Sequence, residues 1–126
     1  VTCRVNFPEE VPKVQENLSF ALANLLENAI RASKTQDKDK RFLHINLQTR
    51  GRQVFLSVEN YYAEPVPLNE DGYPVTHRQG HGIGMTSVHH FIMSYKGFKN
   101  FTQKDGVVRF EIYFTLPDTP LNTPSA

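Results

Sequence analysis

Very little in this sequence could brace the fold from outside a hydrophobic core. A single cysteine, Cys3, stands among 126 residues. It can close no internal disulfide and cannot by itself build a structural zinc site, which points to a reducing, cytosolic setting. There is no run of about 18 apolar residues and no signal-peptide pattern. An excess of one charge is missing as well: Lys plus Arg is 14 and Asp plus Glu is 13. That balance gives no general pull toward nucleic acid or anionic lipid. What is present, 39% hydrophobic and 21% charged residues, excludes a disordered tail and suits one domain with one core. The chain begins at Val1 and is read as a fragment, so the lack of an anchor here does not describe its parent.

Periodicity divides the chain. Residues 2–7 alternate weakly before Pro8 and predict a short edge strand. From Val14 to Ser33 apolar residues recur at three- and four-residue steps (Val14, Leu18, Leu22, Leu25, Leu26, Ala29, Ile30), which predicts a helix with one buried face. A charged loop, 34–41, follows. Leu43, Ile45 and Leu47, then Val54, Leu56 and Val58, alternate as two strands around a turn at Gly51-Arg52. Residues 61–80 lose all periodicity and contain Pro65, Pro67 and Pro74, the pattern of a long surface loop or lid with weak packing. A second helix is expected over 82–95, closing at Gly97. A hairpin is expected over 98–102 and 107–116, turning at Asp105-Gly106, before a Pro- and Thr-rich tail. This order suggests a mixed sheet with its helices on one face.

Two groups of residues stand out chemically. Asn24, Asn28 and Arg31 occupy i, i+4 and i+7 of the first helix, a polar stripe beside its apolar face. Asparagine is a poor mid-helix residue because its amide competes for backbone groups. The stripe is either a set of satisfied half-exposed amides, with Glu27 and Arg31 as an i,i+4 ion pair, or a surface for a ligand. In the second case an amide oxygen can bind Mg²⁺ and a guanidinium can meet phosphate. The other group is Gly80-His81-Gly82-Ile83-Gly84-Met85, which leaves the long loop and opens a helix. Helix N-termini attract anions, and glycines let the backbone approach them, although a tight loop-to-helix junction would use the same residues. His89 and His90 are adjacent, so they point apart on a helix and cannot form one site.

In combination these residues resemble a known family. NLLENAIRAS (24–33) is similar to the N-box of the GHKL ATP-binding superfamily, and GHGIGMTSVHHFIMSYKG (80–97) to its second glycine box and following helix. The final strand ending in TLP resembles the close of a histidine-kinase catalytic domain, nearest to the peptide-pheromone, quorum-sensing type. The resemblance implies an α/β Bergerat fold, a two-layer sandwich of mixed sheet and helices with a mobile ATP lid at about 61–80. It implies a catalytic domain over 1–117 and a disordered tail over 118–126. It also implies ATP and Mg²⁺, transfer of the γ-phosphoryl group to a histidine in a separate dimerisation segment, and a response regulator downstream. The parent implied is a bacterial membrane-bound homodimer with this domain in the cytoplasm, and nucleic acid is no part of its function.

Carried over residue by residue, the resemblance makes Asn28 the Mg²⁺ ligand, Asn24 a neighbouring phosphate-side amide and Arg31 a phosphate contact. His81, Gly82, Ile83, Gly84 and Met85 become the phosphate-facing box, and Glu27 a second catalytic candidate beside Asn24, as a water or proton handler. ATP-hydrolysing members carry glutamate where Asn24 stands, and an amide is a poor general base, so transfer to a protein histidine fits better than hydrolysis. One departure is clear: the first glycine box is missing, and Val58-Glu59 leads into Asn60-Tyr61-Tyr62-Ala63. By register Asn60 takes the place of the aspartate that reads the adenine amino group. The alternative is a degenerate GHKL module that binds nucleotide or partners without kinase activity.

Overall fold

The computed structural model describes residues 1–7, 12–75 and 83–117. Among them are a five-stranded sheet and two α-helices in the order β1 (Thr2–Val5), α1 (Pro12–Ser33), β2 (Leu43–Arg50), β3 (Gln53–Tyr61), α2 (Ile83–Ser94), β4 (Phe98–Lys104) and β5 (Val107–Thr115). The strands lie β1-β2-β3-β5-β4. Only β1–β2 is parallel; the other pairs are antiparallel, so the sheet is mixed as expected. The order of elements follows the sequence reading, with a short 3-10 turn, Lys38–Lys40, inside the expected charged loop. The lid boundary at 61 falls on the last residue of β3, and the tail 118–126 lies outside the described residues.

Helix α1 shows how far its period can be trusted. Leu18, Ala21, Leu25 and Ala29 are buried, Leu22 and Leu26 pack at the margin, and Ile30 is 44% exposed. Each four-residue step advances about 40° past a full turn, so 18, 22, 26 and 30 drift off the core face. Seven residues fall about 20° short of two turns, which keeps 18 and 25 together. Ile30 was expected inside; the drift puts it outside, and Ala21 takes the inner place.

Strand alternation does the same for the sheet. Val54, Leu56, Val58 and Asn60 of β3 share the inner face with Val108, Phe110, Ile112 and Phe114 of β5. Leu56 and Ile112 are fully buried. The outer face is mixed, with Phe55, Phe98 and Tyr113 beside polar residues. There Glu111 is buried but accepts from Asn100 Nδ2 (3.1 Å), Tyr113 Oη (3.0 Å) and Arg109 Nη1 (3.3 Å). Arg109 also pairs with Glu59, whose hydrogen bond and charge hold its guanidinium pKa above the ordinary value.

Gly97 ends α2 as expected, but for another reason. The left-handed residue is Lys96, with φ 53°. Lys96 N–H donates to Met93 O (3.2 Å) and Gly97 N–H to Ile92 O (2.8 Å), the pairing of a Schellman cap. Gly97 is needed for space: a Cβ there would lie 2.6 Å from the Tyr113 carbonyl oxygen.

Residues 62–75 are mostly exposed, as a surface loop is expected to be, but they are fixed at a few points that their sequence does not announce. Gln36 Oε1 accepts Ala63 N–H (3.1 Å), while Gln103 Oε1 accepts Val66 N–H (3.1 Å) and its Nε2 donates to Glu64 O (2.7 Å). Beyond these clips a small loop closes on itself through Asn69 N–H to Tyr73 O (2.8 Å) and Val75 N–H to Pro67 O (2.9 Å). Tyr73 fixes it to the core: it is 3% exposed, stacked on Phe110 (6.0 Å) and hydrogen-bonded to His89 Nδ1 (2.9 Å). Burial, helped by Asp71, raises the Tyr73 pKa, so its hydroxyl keeps its proton. Residues 76–80, the rest of the expected lid, lie outside the described residues.

Candidate functional site

Between α1, the inner face of the sheet and residues 62–75 lies a cavity of about 310 Å³. That is at the small end of the range for ligand sites. Its walls are mostly apolar: Leu25 and Ala29 from α1, Val58 from β3, Phe101 from β4, Phe110 from β5. Four polar residues interrupt them, Asn28, Arg31 and Thr35 from α1 and its end, and Asn60 from β3. Met85 of α2 completes the wall on the glycine-box side.

The helix period brings Asn28 and Arg31 here, one turn apart along the flank of the buried stripe. Asn28 Nδ2 donates to Met85 Sδ at 2.9 Å. With the nitrogen so committed, Oδ1 has no partner among the described residues, and a free amide oxygen is the donor a hard cation takes. Arg31 Nη2 bonds Glu27 Oε2 at 3.0 Å, so the guanidinium at the cavity wall is already paired. The i,i+4 ion pair of the first reading is thus present, and Asn28 and Arg31 of the stripe both line a cavity.

Asn60 is 5% exposed, and its one hydrogen bond among the described residues is a long one, Nδ2 to Tyr61 O at 3.3 Å. A buried amide oxygen without a partner is costly unless something else satisfies it, so the site fits a ligand that donates a hydrogen bond.

Not every sequence-predicted residue joins the cavity. Asn24 lies one turn before Asn28 but is absent from the lining. Glu27 is 100° round the helix from Asn28, its side chain is 61% exposed, and it faces a shallow outer groove beside Ala23 and Ile30. Its visible work is to hold Arg31. Ile83 and Gly84 are the first residues of α2, whereas His81 and Gly82 lie outside the described residues. His89 is taken by Tyr73 and does not pair with His90 as a site. Tyr62, Phe101 and Phe110 were not singled out from sequence; the inward register of β4 and β5 marks the two phenylalanines, whereas Tyr62 lies just past β3, held through its N–H by Gly106 O (2.8 Å) and through its carbonyl by Gln103 (3.1 Å). Among the described residues no group of three or more His, Cys, Asp or Glu could hold a metal ion. No helix among them is long and apolar enough to cross a membrane.

Comparison with known proteins places these features. A family model described as the GHKL domain matches residues 15–115. No curated protein matches the chain by sequence. Among solved structures, the histidine kinase domain of a blue-light activated histidine kinase from Erythrobacter litoralis is similar over 91% of this chain and 50% of its own, with a TM-score of 0.71 at 12% identity. The histidine kinase AdeS of Acinetobacter baumannii is similar over 82% and 47%, with a TM-score of 0.58 at 19% identity. The catalytic domain of histidine kinase ThkA is similar over 90% and 78%, with a TM-score of 0.66 at 20% identity. The chain thus spans about half of the first two structures, and at these identities the likeness is one of fold: this is the α/β fold of histidine kinase catalytic domains.

Proposed function

The chain belongs to the GHKL domain family, and on that premise we propose that it is the ATP-binding catalytic domain of a sensor histidine kinase. Its reaction is transfer of the ATP γ-phosphoryl group to a histidine in a dimerisation segment outside this chain. One observation carries this reading: Asn28 and Asn60, whose amide oxygens have no partner among the described residues, line one mostly apolar cavity together with Arg31. An apolar slot with an acceptor at its floor suits a purine base, and a cation-binding amide beside a guanidinium suits its phosphates.

The chain's own residues divide the work. Asn60 Oδ1 accepts from the base amino group, and the apolar walls keep water from competing. Arg31 turns from Glu27 to a phosphate oxygen, with the Glu27 ion pair holding it at the cavity wall beforehand. Gly84, in the first turn of α2, lets backbone N–H groups meet the phosphates where the dipole favours negative charge, and the resemblance adds His81 and Gly82 to that role. Asn28 Oδ1 would hold Mg²⁺. When bound, that ion supplies charge neutralisation across the phosphates, which leaves catalysis to positioning. Asn24, one turn from Asn28, cannot activate water as a carboxylate would, so phosphate is kept for a protein acceptor. The wider setting belongs to the same proposal: a cytoplasmic domain of a membrane-bound bacterial homodimer, of peptide-pheromone type, signalling to a response regulator.

A second reading has one observation in its favour. No glycine stands between Asn60 and Gly72, so the first glycine box is lacking, as in a degenerate module that binds nucleotide poorly. Calorimetric titration with ATP, with and without Mg²⁺, separates the two. The kinase reading expects saturable binding strengthened by Mg²⁺; no binding in either condition favours the degenerate module.

A further inference from the structure

The Asn28 amide has two ends of opposite chemistry, and only one of them can serve a cation. Among the described residues no backbone group hydrogen-bonds either end of that amide. The neighbour that decides is Met85. Its Sδ lies 2.9 Å from Asn28 Nδ2. A thioether carries lone pairs and no hydrogen, so it can accept but never donate. An amide turned the other way would press Oδ1 against sulfur, two electron-rich atoms with no proton between them. Met85 is also held firmly: it is 5% exposed and belongs to the core packing between α1 and the sheet. Leucine or isoleucine would fill much the same volume there without an acceptor, so apolar packing alone does not account for sulfur at this point.

We infer that Met85 is a positioning residue whose thioether fixes the flip state of the Asn28 amide, so that Oδ1 is presented to the cavity before any ligand arrives. The use of that oxygen for Mg²⁺ rests on the proposed function; the orientation itself does not. It links α2, immediately after the glycine box, to the cation-binding atom of α1 through one side-chain contact.

The test reads the amide directly in the full chain, ¹⁵N-labelled and free of nucleotide and metal. The Asn28 side-chain NH₂ pair is identified by its disappearance in Asn28→Ala. In the wild type one proton is bonded to sulfur and the other is not, so the pair is expected to be widely split and slow to rotate. Met85→Leu should collapse the splitting toward that of free amides, and Met85→Gln, whose Oε1 can accept, should restore it. Calorimetry on the same proteins then compares ATP affinity with and without Mg²⁺. The ratio should fall about two- to tenfold in Met85→Leu, the range of one neutral hydrogen bond, and recover in Met85→Gln. An Asn28 pair unchanged in a folded Met85→Leu overturns the inference. If that variant does not fold, a wild-type pair with the splitting of free amides overturns it equally. A wild type whose ATP affinity ignores Mg²⁺ defeats the metal reading, while the amide spectra still decide the orientation.

Discussion

At the scale of single residues the site turns on neutral amides where charge would be stronger. Asn60 can accept from a base amino group through Oδ1, but without the charge that roughly doubles such a bond. Asn60→Asp is therefore expected to tighten ATP binding by about fivefold, corresponding to on the order of 1 kcal/mol between charged and neutral hydrogen bonds. The same substitution places a carboxylate at a position only 5% exposed, so the free protein should lose stability, by about 1–3 kcal/mol, in denaturant titration. Asn60→Ala should weaken ATP and narrow its preference over GTP. Titration of the three proteins with both nucleotides checks this; unchanged affinities and ratios would remove Asn60 as base reader. Asn28 makes a different demand. Asn28→Ala should leave the fold intact, since its one bond among the described residues is to a weak sulfur acceptor, yet abolish most of the Mg²⁺-dependent gain in ATP affinity. Both asparagines were legible in the sequence because each lies on a regular period, Asn28 on the helical stripe and Asn60 on the inward register of a strand. Glu27 lies on the same helix but off that stripe, and its assignment to chemistry finds no geometric support, because one residue's step swings it out to solvent.

At the scale of elements, residues 62–75 were the least legible part. Their sequence has no period, and what anchors them is non-local: Tyr73 packs on Phe110 of β5 and bonds His89 of α2, and Gln36 and Gln103 reach in from elsewhere. Local pattern cannot announce a partner that lies distant in sequence. The packing changes what hydrogen exchange should report. Amides bonded within 62–75, Tyr73 N–H to Asn69 Oδ1 (3.0 Å) among them, are expected to be protected with or without an ATP analogue. Fast exchange there in the free protein would mean that Tyr73 does not hold the loop. Tyr73→Phe removes only the hydroxyl and its bond to His89, and should cost about 0.5–1.5 kcal/mol in unfolding free energy. The alkaline limb gives an independent check. Burial raises the Tyr73 pKa in the folded state, so above about pH 10, the unfolded value, the folded protein holds more protons than the unfolded chain. Stability is then full below about pH 10 and falls as pH rises through the folded value. In Tyr73→Phe the fall should be shallower, though not absent, because the Tyr113 pKa is also raised, by burial and by Glu111.

At the scale of the whole molecule, no described histidine lines the cavity. The cavity opens on the inner face, whereas His44 is paired in register with Glu59, its Nδ1 3.6 Å from that carboxylate, on the outer face. His89 is held by Tyr73. His90 is exposed on α2 and does not line the cavity, and His77 and His81 lie outside the described residues. None of these histidines stands on a helix preceding α1, where an acceptor segment of a parent kinase would be joined. The fold was legible at this scale because the order of elements is enough to suggest a mixed sheet under two helices, while on the proposed function the acceptor comes from outside the pattern. Incubated alone with ATP and Mg²⁺, the chain should therefore gain no acid-labile phosphate. It should also release inorganic phosphate no faster than background, since Asn24 offers no general base. Adding a dimerisation segment that carries the acceptor histidine should produce acid-labile label on that segment, and Asn28→Ala should reduce it by about tenfold or more if Asn28 holds the cation as proposed. Stoichiometric acid-labile phosphate on the isolated chain would put the acceptor within this domain and require one of its own histidines to reach the cavity.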